Sequence, residues 1–294
     1  MRSLLWLCLC WVPFSSFATS PVELRRIVSL SPAMTAMLHE LGQEHRLVGV
    51  TRYCRQAPEN QPKVSVVGGA SDPEVESILS LQPDVVLASS LLPENIEKRF
   101  QALGIPVERF RQDRLQDIFD QVHWLGKHTA SVDRAEQELV RARQLIQTAR
   151  ARNETTPPRT GLMVFSENMD LVAGGDTYPA EVMDLAGLSN VASVLPQSWP
   201  TISQEWLLDQ DPDWILVATQ KPDAEIGSYR ERLLSQWSEH KVFSQLTSVK
   251  TGRIITISQS RLVVPSLQVF SVIESLRQEM QLLSAEGKVN HALD

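Results

Sequence analysis

Histidines are the residues of this chain whose types and spacing come nearest to a reaction centre. His39 and His45 lie on either side of Gly42, and His123 and His128 lie on either side of Gly126. A zinc-binding helix carries two histidines four positions apart, and neither pair has that spacing. We therefore expect these histidines to lie on the surface or to be hydrogen-bonded in the core, and the sequence names no metal-ligating residue.

Other catalytic signatures are also missing from the sequence. The glycine pairs in "VGGAS" and "AGGDT" do not have the spacing of a phosphate-binding loop, and no G-x-S-x-G motif of a serine hydrolase occurs. Glycine at these places more simply allows a positive φ or the close approach of a ligand. We predict a protein that is not an enzyme. A cell-envelope enzyme on an α/β scaffold and a structural or adhesion module of the envelope remain the alternatives.

Two stretches of the chain share one pattern. Superposing "EVESILSLQPDVVLAS" on "QEWLLDQDPDWILVAT" so that Glu76 matches Glu205 also matches Leu79 with Leu208, Pro83 with Pro212 and Asp84 with Asp213. Each copy reads as a helix that proline ends, followed at once by an apolar strand. The repeat therefore predicts a helix-turn-strand unit in each of two lobes.

Short apolar runs alternate with helical patterns along both halves of the chain. "RRIVSL", "RLVGV", "DVVLAS", "GLMVFS" and "RIITIS" are typical of buried strands. Ser31 and Pro32 suit the start of a helix that Gly42 ends, and Asp72 and Pro73 suit the start of the next. This alternation predicts an α/β fold with two Rossmann-like lobes whose sheets are mainly parallel.

A long helical pattern separates the two halves. Residues 131–153 carry an apolar stripe and end at the loop sequence "NETTPPR". We expect an N-terminal lobe over 21–130, a rigid backbone helix over 131–153 and a C-terminal lobe over 154–294. Because a helix resists bending more than a flexible linker does, we predict a cleft between the lobes and little hinge motion. The stripe comprises Val132, Ala135, Leu139, Ala142, Leu145, Ile146 and Ala149.

Composition and the N-terminus bear on partners and location. The chain has 294 residues and a formal charge of -7, which argues against nucleic-acid binding because phosphate recognition needs clustered Lys and Arg. Residues 1–20 resemble a secretory signal, with Arg2, a short apolar run and small residues allowing cleavage after Ala18 or Ser20. We expect an exported protein that acts as a monomer, and in which Cys54, the single cysteine after the signal, forms no internal disulfide.

Six segments in the same order resemble a known family. They are "RRIVSLSPAMTAMLHELG", "RLVGVTRYC", "VGGASDPEVESILSLQPDVVLAS", "LGIPV", "AEVMDLAGLSNVA" and "WPTISQEWLLDQDPDWILVA". They look like the periplasmic substrate-binding proteins of ABC importers for cobalamin and iron complexes, whose two lobes are joined by one helix. Each segment alone is weak evidence, but together they cover nearly the whole chain after the signal.

The resemblance is greatest to the cobalamin-binding branch, and it implies ligand-contacting residues. The matching positions in this chain are Pro32, Tyr53, Phe165 and Trp199, and Arg261 could complement a phosphate or an amide edge. A large, flat, partly apolar ring suits aromatic side chains. Tyr178 is either a further aromatic contact, an oxygen ligand for iron or haem, or a packed loop residue.

The resemblance also implies partners. Glu76 and Glu205 match the glutamates, one per lobe, that dock on arginines of a membrane permease, which works with an ATPase. The alternative role for these carboxylates is to stabilise helix N-termini. The expected ligand is cobalamin or a related corrinoid, and the alternatives are a ferric siderophore or haem. The chain departs from the family pattern at Ala36, which replaces a glutamate, and at Ala70, which replaces a tryptophan.

Overall fold

The computed structural model describes residues 23–54 and 64–290. The predicted signal segment and Arg55–Lys63 lie outside the described residues. The strands within the described part are β1 (Ile27–Ser29), β2 (Leu47–Val50), β3 (Ser65–Val66), β4 (Val85–Ser89), β5 (Val107–Phe110), β6 (Arg159–Val164), β7 (Leu188–Asn190), β8 (Trp214–Thr219) and β9 (Ile254–Ser258).

The helices surround these strands and alternate with them along the chain. Short 3₁₀ turns precede β2 and follow β7 and β8. The α-helices are α1 (Pro32–Glu40), α2 (Val75–Ser80), α3 (Glu94–Ala102), α4 (Leu115–His128), α5 (Val132–Asn153), α6 (Tyr178–Ala186), α7 (Gln204–Gln210), α8 (Ile226–Glu239), α9 (Thr247–Lys250), α10 (Gln259–Leu262) and α11 (Gln268–Asn290).

The strands form two separate sheets, one in each lobe. The N-terminal sheet has the order β3-β2-β1-β4-β5 and the C-terminal sheet the order β7-β6-β8-β9. Every named strand pair is parallel. Apart from the extra edge strand β3, the two orders are the same when β1 is matched to β6 and β4 to β8. The prediction of two parallel α/β lobes is confirmed.

The repeated segment has the same local structure in both lobes. Gln82 follows the capping residue of α2, and Asp211 is the capping residue of α7. Each lies just before a proline, and their φ values are 46° and 36°. The next aspartate then ties the strand to the start of its neighbour: Asp84 Oδ2 accepts the backbone N–H of Arg26 at 2.8 Å. Asp213 Oδ2 accepts the N–H of Thr160 at 3.0 Å. The aspartates therefore fix where β1 and β6 begin.

One predicted helix start is wrong. The sequence suggested Asp72 as the capping residue and Pro73 as the first helical residue, but α2 begins at Val75 after Glu74. Pro73 instead forms a bridge with Gly68, and the N–H of Glu74 donates to the carbonyl of Val67 at 2.9 Å. This pairing holds Pro73 in an extended conformation, which delays the helix by two residues.

Helix α5 packs against both lobes. Ala135, Leu139, Ala142 and Ala149 are buried in one continuous hydrophobic cluster that contains residues of both sheets' flanking helices. The predicted apolar stripe is confirmed at these positions. It is narrower than expected, because Val132 and Leu145 are exposed.

No helix within residues 23–54 and 64–290 combines the length and the apolar character needed to cross a membrane.

Candidate functional site

The carboxyl end of β1 leads directly into α1. Ser31 caps the helix by accepting the backbone N–H of Met34 at 3.4 Å, and Pro32 occupies the first helical position, as the sequence predicts. Gln112, which follows β5, donates to the Ser31 hydroxyl at 2.8 Å. Pro32 is half-buried at this edge of the N-terminal sheet.

Tyr53 lies in the loop after β2 and is 68% exposed. The guanidinium of Arg52 lies 5.8 Å from the centre of its ring and pairs with Asp72 at 2.9 Å. The hydrogen bond that Arg52 donates to the Asp72 carboxylate raises the pKa of Arg52, so this side chain stays charged. Gly69 makes the pairing possible, since a Cβ there would lie 2.1 Å from Oδ1 of Asp72. The N-terminal lobe therefore presents one exposed aromatic ring, that of Tyr53, beside an arginine whose charge is paired with an aspartate.

Phe165 and Trp199 meet at the carboxyl edge of the C-terminal lobe. Their ring centroids lie 5.2 Å apart at an interplanar angle of 76°, an edge-to-face arrangement. Phe165 is half-buried at the end of β6, while Trp199 is 46% exposed. The structure thus brings together two of the predicted aromatic residues and leaves a large part of the indole open.

Trp199 is held by a segment, residues 197–202, that runs antiparallel to residues 170–174. Three backbone hydrogen bonds join the two segments. The N–H of Gly174 donates to the Ser198 carbonyl at 2.8 Å, and the N–H of Val172 donates to the Pro200 carbonyl at 3.1 Å. The N–H of Ile202 donates to the Asp170 carbonyl at 2.8 Å. At Gly174 a Cβ would lie 2.2 Å from the Gln197 carbonyl oxygen. Glycine is therefore required for the close approach of the segment that carries Trp199.

The turn below this pair is also hydrogen-bonded. The Ser166 hydroxyl donates to the carboxylate of Asp170, which holds the pKa of that carboxyl below its ordinary value. Phe165 donates its N–H to the Leu171 carbonyl at 2.9 Å. These bonds fix the backbone on both sides of Phe165, so the aromatic pair is supported from two directions.

Tyr178 is packed in the hydrophobic core, and Arg261 contacts α11. Tyr178 is 3% exposed at the start of α6, where burial raises the pKa of its hydroxyl and disfavours an ionised iron ligand. This burial favours the packed role that the sequence left open. Arg261 donates to the Ser275 hydroxyl of α11 at 3.3 Å and lines a cavity of about 170 Å³ with Glu279.

Loops at the carboxyl edges of the two sheets meet at the junction between the lobes. The backbone N–H of Tyr178 donates to the carbonyl of Asp113, which follows β5, at 2.6 Å. Ligands of open α/β sheets bind at the carboxyl ends of strands. The carboxyl edges that carry Tyr53 in one lobe and Trp199 in the other are therefore the candidate binding site.

Residues 27–260 match the model of a family described as periplasmic binding protein. The chain belongs to this family. It is 28% identical over 205 residues to the vitamin B12-binding protein of Yersinia pestis, which covers 69% of this chain and 73% of the relative.

Solved structures of similar proteins share the fold of this periplasmic binding protein. The periplasmic vitamin B12-binding protein BtuF of Vibrio cholerae matches with a TM-score of 0.74 at 21% identity, over 90% of this chain and 99% of its own. The periplasmic heme-binding protein HutB of Vibrio cholerae matches with a TM-score of 0.73 at 23% identity, over 87% and 98% of the two chains.

The two glutamates of the repeat occupy the same helical position in the periplasmic binding protein. Glu76 is the second residue of α2 and Glu205 the second residue of α7, and both are exposed. Glu76 pairs with Arg99 of α3. Within the described residues the carboxylate of Glu205 has no ion-pair or hydrogen-bond partner.

Sequence reasoning missed three exposed apolar side chains in the segments that follow β4, β6 and β7. Leu91 follows β4 and is 66% exposed, Val194 follows β7 and is 78% exposed, and Leu171 adjoins Phe165. For Leu91 and Val194 the available signal was their position soon after a strand end, because those positions form the carboxyl edge of a parallel sheet.

Two of the described histidines, His128 and His240, have structural contacts. His128 stacks on Trp124 at 4.0 Å, and the ring of His240 accepts the N–H groups of Val242 and Phe243. Across residues 23–54 and 64–290 no three His, Cys, Asp or Glu side chains group as a metal site would require. Cys54 is buried and accepts a hydrogen bond from the Thr35 hydroxyl at 3.2 Å.

Proposed function

We propose that this periplasmic binding protein captures a bulky, flat metal chelate, cobalamin or a related corrinoid, and delivers it to an ABC importer. The observation that carries the proposal is the supported Phe165–Trp199 pair, which opens at the carboxyl edge of one lobe while Tyr53 opens at that of the other. The names of the sequence relatives support the same ligand class.

Exposed aromatic side chains suit such a ligand. A corrin ring is wide, partly apolar and edged with amides, so it gains by covering ring faces while its edges stay hydrated. Trp199 offers an indole that is already held in place, which lowers the entropy that binding must remove. Leu91 and Val194 add apolar surface at the same edges.

Delivery is proposed to use Glu76 and Glu205. Both are exposed at equivalent positions on the two lobes, as expected if a permease with a basic residue for each lobe recognises them together. Their place in the first turn also suits the helix dipole. Residues 1–20 are proposed to act as the signal peptide that directs export to the periplasm. The mature protein is proposed to act as a monomer that delivers ligand to a permease and its ATPase.

Haem or a ferric siderophore is the second candidate. The hydroxyl of Tyr53, in a ring that is 68% exposed, is an oxygen donor of the kind that holds ferric haem in some proteins. A structure named for heme binding also shares the fold.

Titration of the mature protein with cyanocobalamin, haemin and a ferric hydroxamate separates these ligands. We expect saturable quenching of tryptophan fluorescence by cyanocobalamin at a ratio of one ligand per chain, with the ligand recovered unchanged. Saturation by haemin alone would select the second candidate. Absence of saturation by all three, or chemical conversion of the bound ligand, would contradict the proposed function.

A further inference from the structure

Glu40, the last residue of α1 in the N-terminal lobe, contacts the start of α11 in the C-terminal lobe. Its carboxylate accepts the backbone N–H groups of Leu267 at 3.0 Å and Gln268 at 3.2 Å, and the hydroxyl of Ser266 at 2.9 Å. The first N–H groups of a helix have no partner inside the helix. Glu40 therefore caps a helix that belongs to the other lobe.

Glu181 makes the opposite contact. It lies in the first turn of α6 in the C-terminal lobe, and its Oε2 accepts the backbone N–H of Leu115, the first residue of α4 in the N-terminal lobe, at 2.8 Å. Its other oxygen accepts the guanidinium of Arg114, which also pairs with Asp176. A carboxylate that accepts backbone and guanidinium N–H groups forms charge-assisted bonds, which are short and directional.

The two helices that are capped across the junction also touch each other. Phe119 of α4 and Phe270 of α11 pack edge to face with ring centroids 5.2 Å apart. Each lobe therefore gives one carboxylate to a helix of the other, and the two capped helices share an aromatic contact. Helix α5 packs through Leu139 and three small side chains, Ala135, Ala142 and Ala149. The two carboxylate caps add directional hydrogen bonds between the lobes that this apolar packing does not provide.

We propose that Glu40 and Glu181 are positioning residues that hold the carboxyl edges of the two lobes at a fixed separation, so that the site is already formed before ligand enters. The consequence for affinity rests on the proposed function; the consequence for lobe separation does not. Each carboxylate accepts hydrogen bonds from backbone N–H groups of the other lobe. A shift or rotation of one lobe therefore breaks several hydrogen bonds together.

The test measures the distance between the lobes in the ligand-free protein. Nitroxide labels at Gln101→Cys on α3 and Gln236→Cys on α8, both exposed, report this distance by double electron–electron resonance in a Cys54→Ser background. The variant is Glu40→Gln with Glu181→Gln, which keeps side-chain volume. Circular dichroism confirms that it is folded.

Asp117→Asn is the matched control. Asp117 Oδ2 accepts the N–H of Asp113 at 2.8 Å and of Arg114 at 2.9 Å, so it stabilises the start of α4 from within the same lobe. If the caps only stabilised their helices, removing a cap within one lobe would change the distance distribution as much as removing the caps between lobes. A positioning role predicts a change only when the bonds between the lobes are lost.

We expect a broader distance distribution in the double variant and an unchanged one in Asp117→Asn. The dissociation constant for cyanocobalamin should rise about three- to tenfold in the double variant only. A distribution as narrow as that of the parent overturns the proposal, as does equal broadening in the control. If the parent binds no cyanocobalamin, the proposed function fails while the distance measurement still decides the positioning role.

Discussion

The two lobes share one scaffold but differ at the surfaces they offer to ligand and partner. Matched strands have the same order, and both lobes use a proline and an aspartate to end a helix and anchor a strand. At the carboxyl edge, however, the N-terminal lobe offers the open ring of Tyr53, while the C-terminal lobe offers Trp199 packed on Phe165.

This difference shows which parts of a repeated fold are fixed by folding. Asp84 and Asp213 satisfy backbone groups at the start of a buried strand, so both lobes need them. The loops after the strands carry no such requirement and can differ. The proposed docking positions differ as well, because Glu76 pairs with Arg99 and Glu205 has no such partner within the described residues.

Reversing both docking charges should have the largest effect. With Glu76→Lys and Glu205→Lys, cellular uptake of labelled cyanocobalamin should fall at least about 100-fold, since like charges placed together cost several kcal/mol. Ligand affinity of the purified protein should stay unchanged. Reversal of Glu94 and Glu154, which are exposed elsewhere, serves as the control. Normal uptake by the double variant would remove these glutamates from docking.

Truncation of the aromatic residues compares the two carboxyl edges directly. Trp199→Ala should weaken the binding free energy for cyanocobalamin by about 1 to 3 kcal/mol, which raises the dissociation constant roughly five- to two-hundredfold. Tyr53→Ala should cause a smaller loss of binding free energy, because the Tyr53 ring does not pack on a neighbouring aromatic side chain among the described residues. Isothermal titration calorimetry measures both, with Leu103→Ala, exposed at the far end of α3, as control. A larger loss at Tyr53 would reverse the ranking of the lobes.

Gly174→Ala tests whether the segment under Trp199 matters. A methyl group would clash with the carbonyl of Gln197 and displace residues 197–202, so we expect about a fivefold or greater loss of affinity. Gly227→Ala is the control, since a Cβ at Gly227 meets no atom within 4 Å. Equal affinities in the two variants would show that the segment tolerates displacement.

Removal of Arg99 should sharpen the docking comparison. Arg99→Ala frees Glu76 for a permease arginine, and exposed ion pairs contribute about 0 to 1 kcal/mol, so association with the permease should strengthen by no more than about fivefold. Surface plasmon resonance with permease in nanodiscs measures this change. Weaker association after the substitution would mean that Arg99 itself contacts the partner.

The pH dependence of stability should show the cost of the buried carboxylate. Burial raises the pKa of Glu40, so the folded state holds its proton more tightly than the unfolded state does. The resulting stability is complete below about pH 4.3 and is lost as pH rises through the folded pKa. In urea denaturation, the free energy of unfolding should therefore fall less steeply between pH 4 and 7 in Glu40→Gln than in the parent protein. In Glu154→Gln it should fall as steeply as in the parent. Identical slopes in all three proteins would contradict this.

The sequence predicted the elements better than the contacts between them. Ser31 and Pro32 mark α1 correctly because capping depends on neighbouring residues alone. The start of α2 was wrong because Pro73 pairs with Gly68, a contact that local patterns do not encode. Tyr178 could not be placed from the sequence, since its burial depends on how the lobes meet. The cap that Glu40 supplies to α11 joins residues more than 220 positions apart.

Hydrogen–deuterium exchange with and without saturating cyanocobalamin tests most directly whether one ligand lies between the lobes. If it does, residues 51–54 beside Tyr53 and residues 197–202 beside Trp199 should gain protection together and at the same ligand concentration. Protection of only one of these segments, or of neither at saturation, would contradict a site shared by the two lobes.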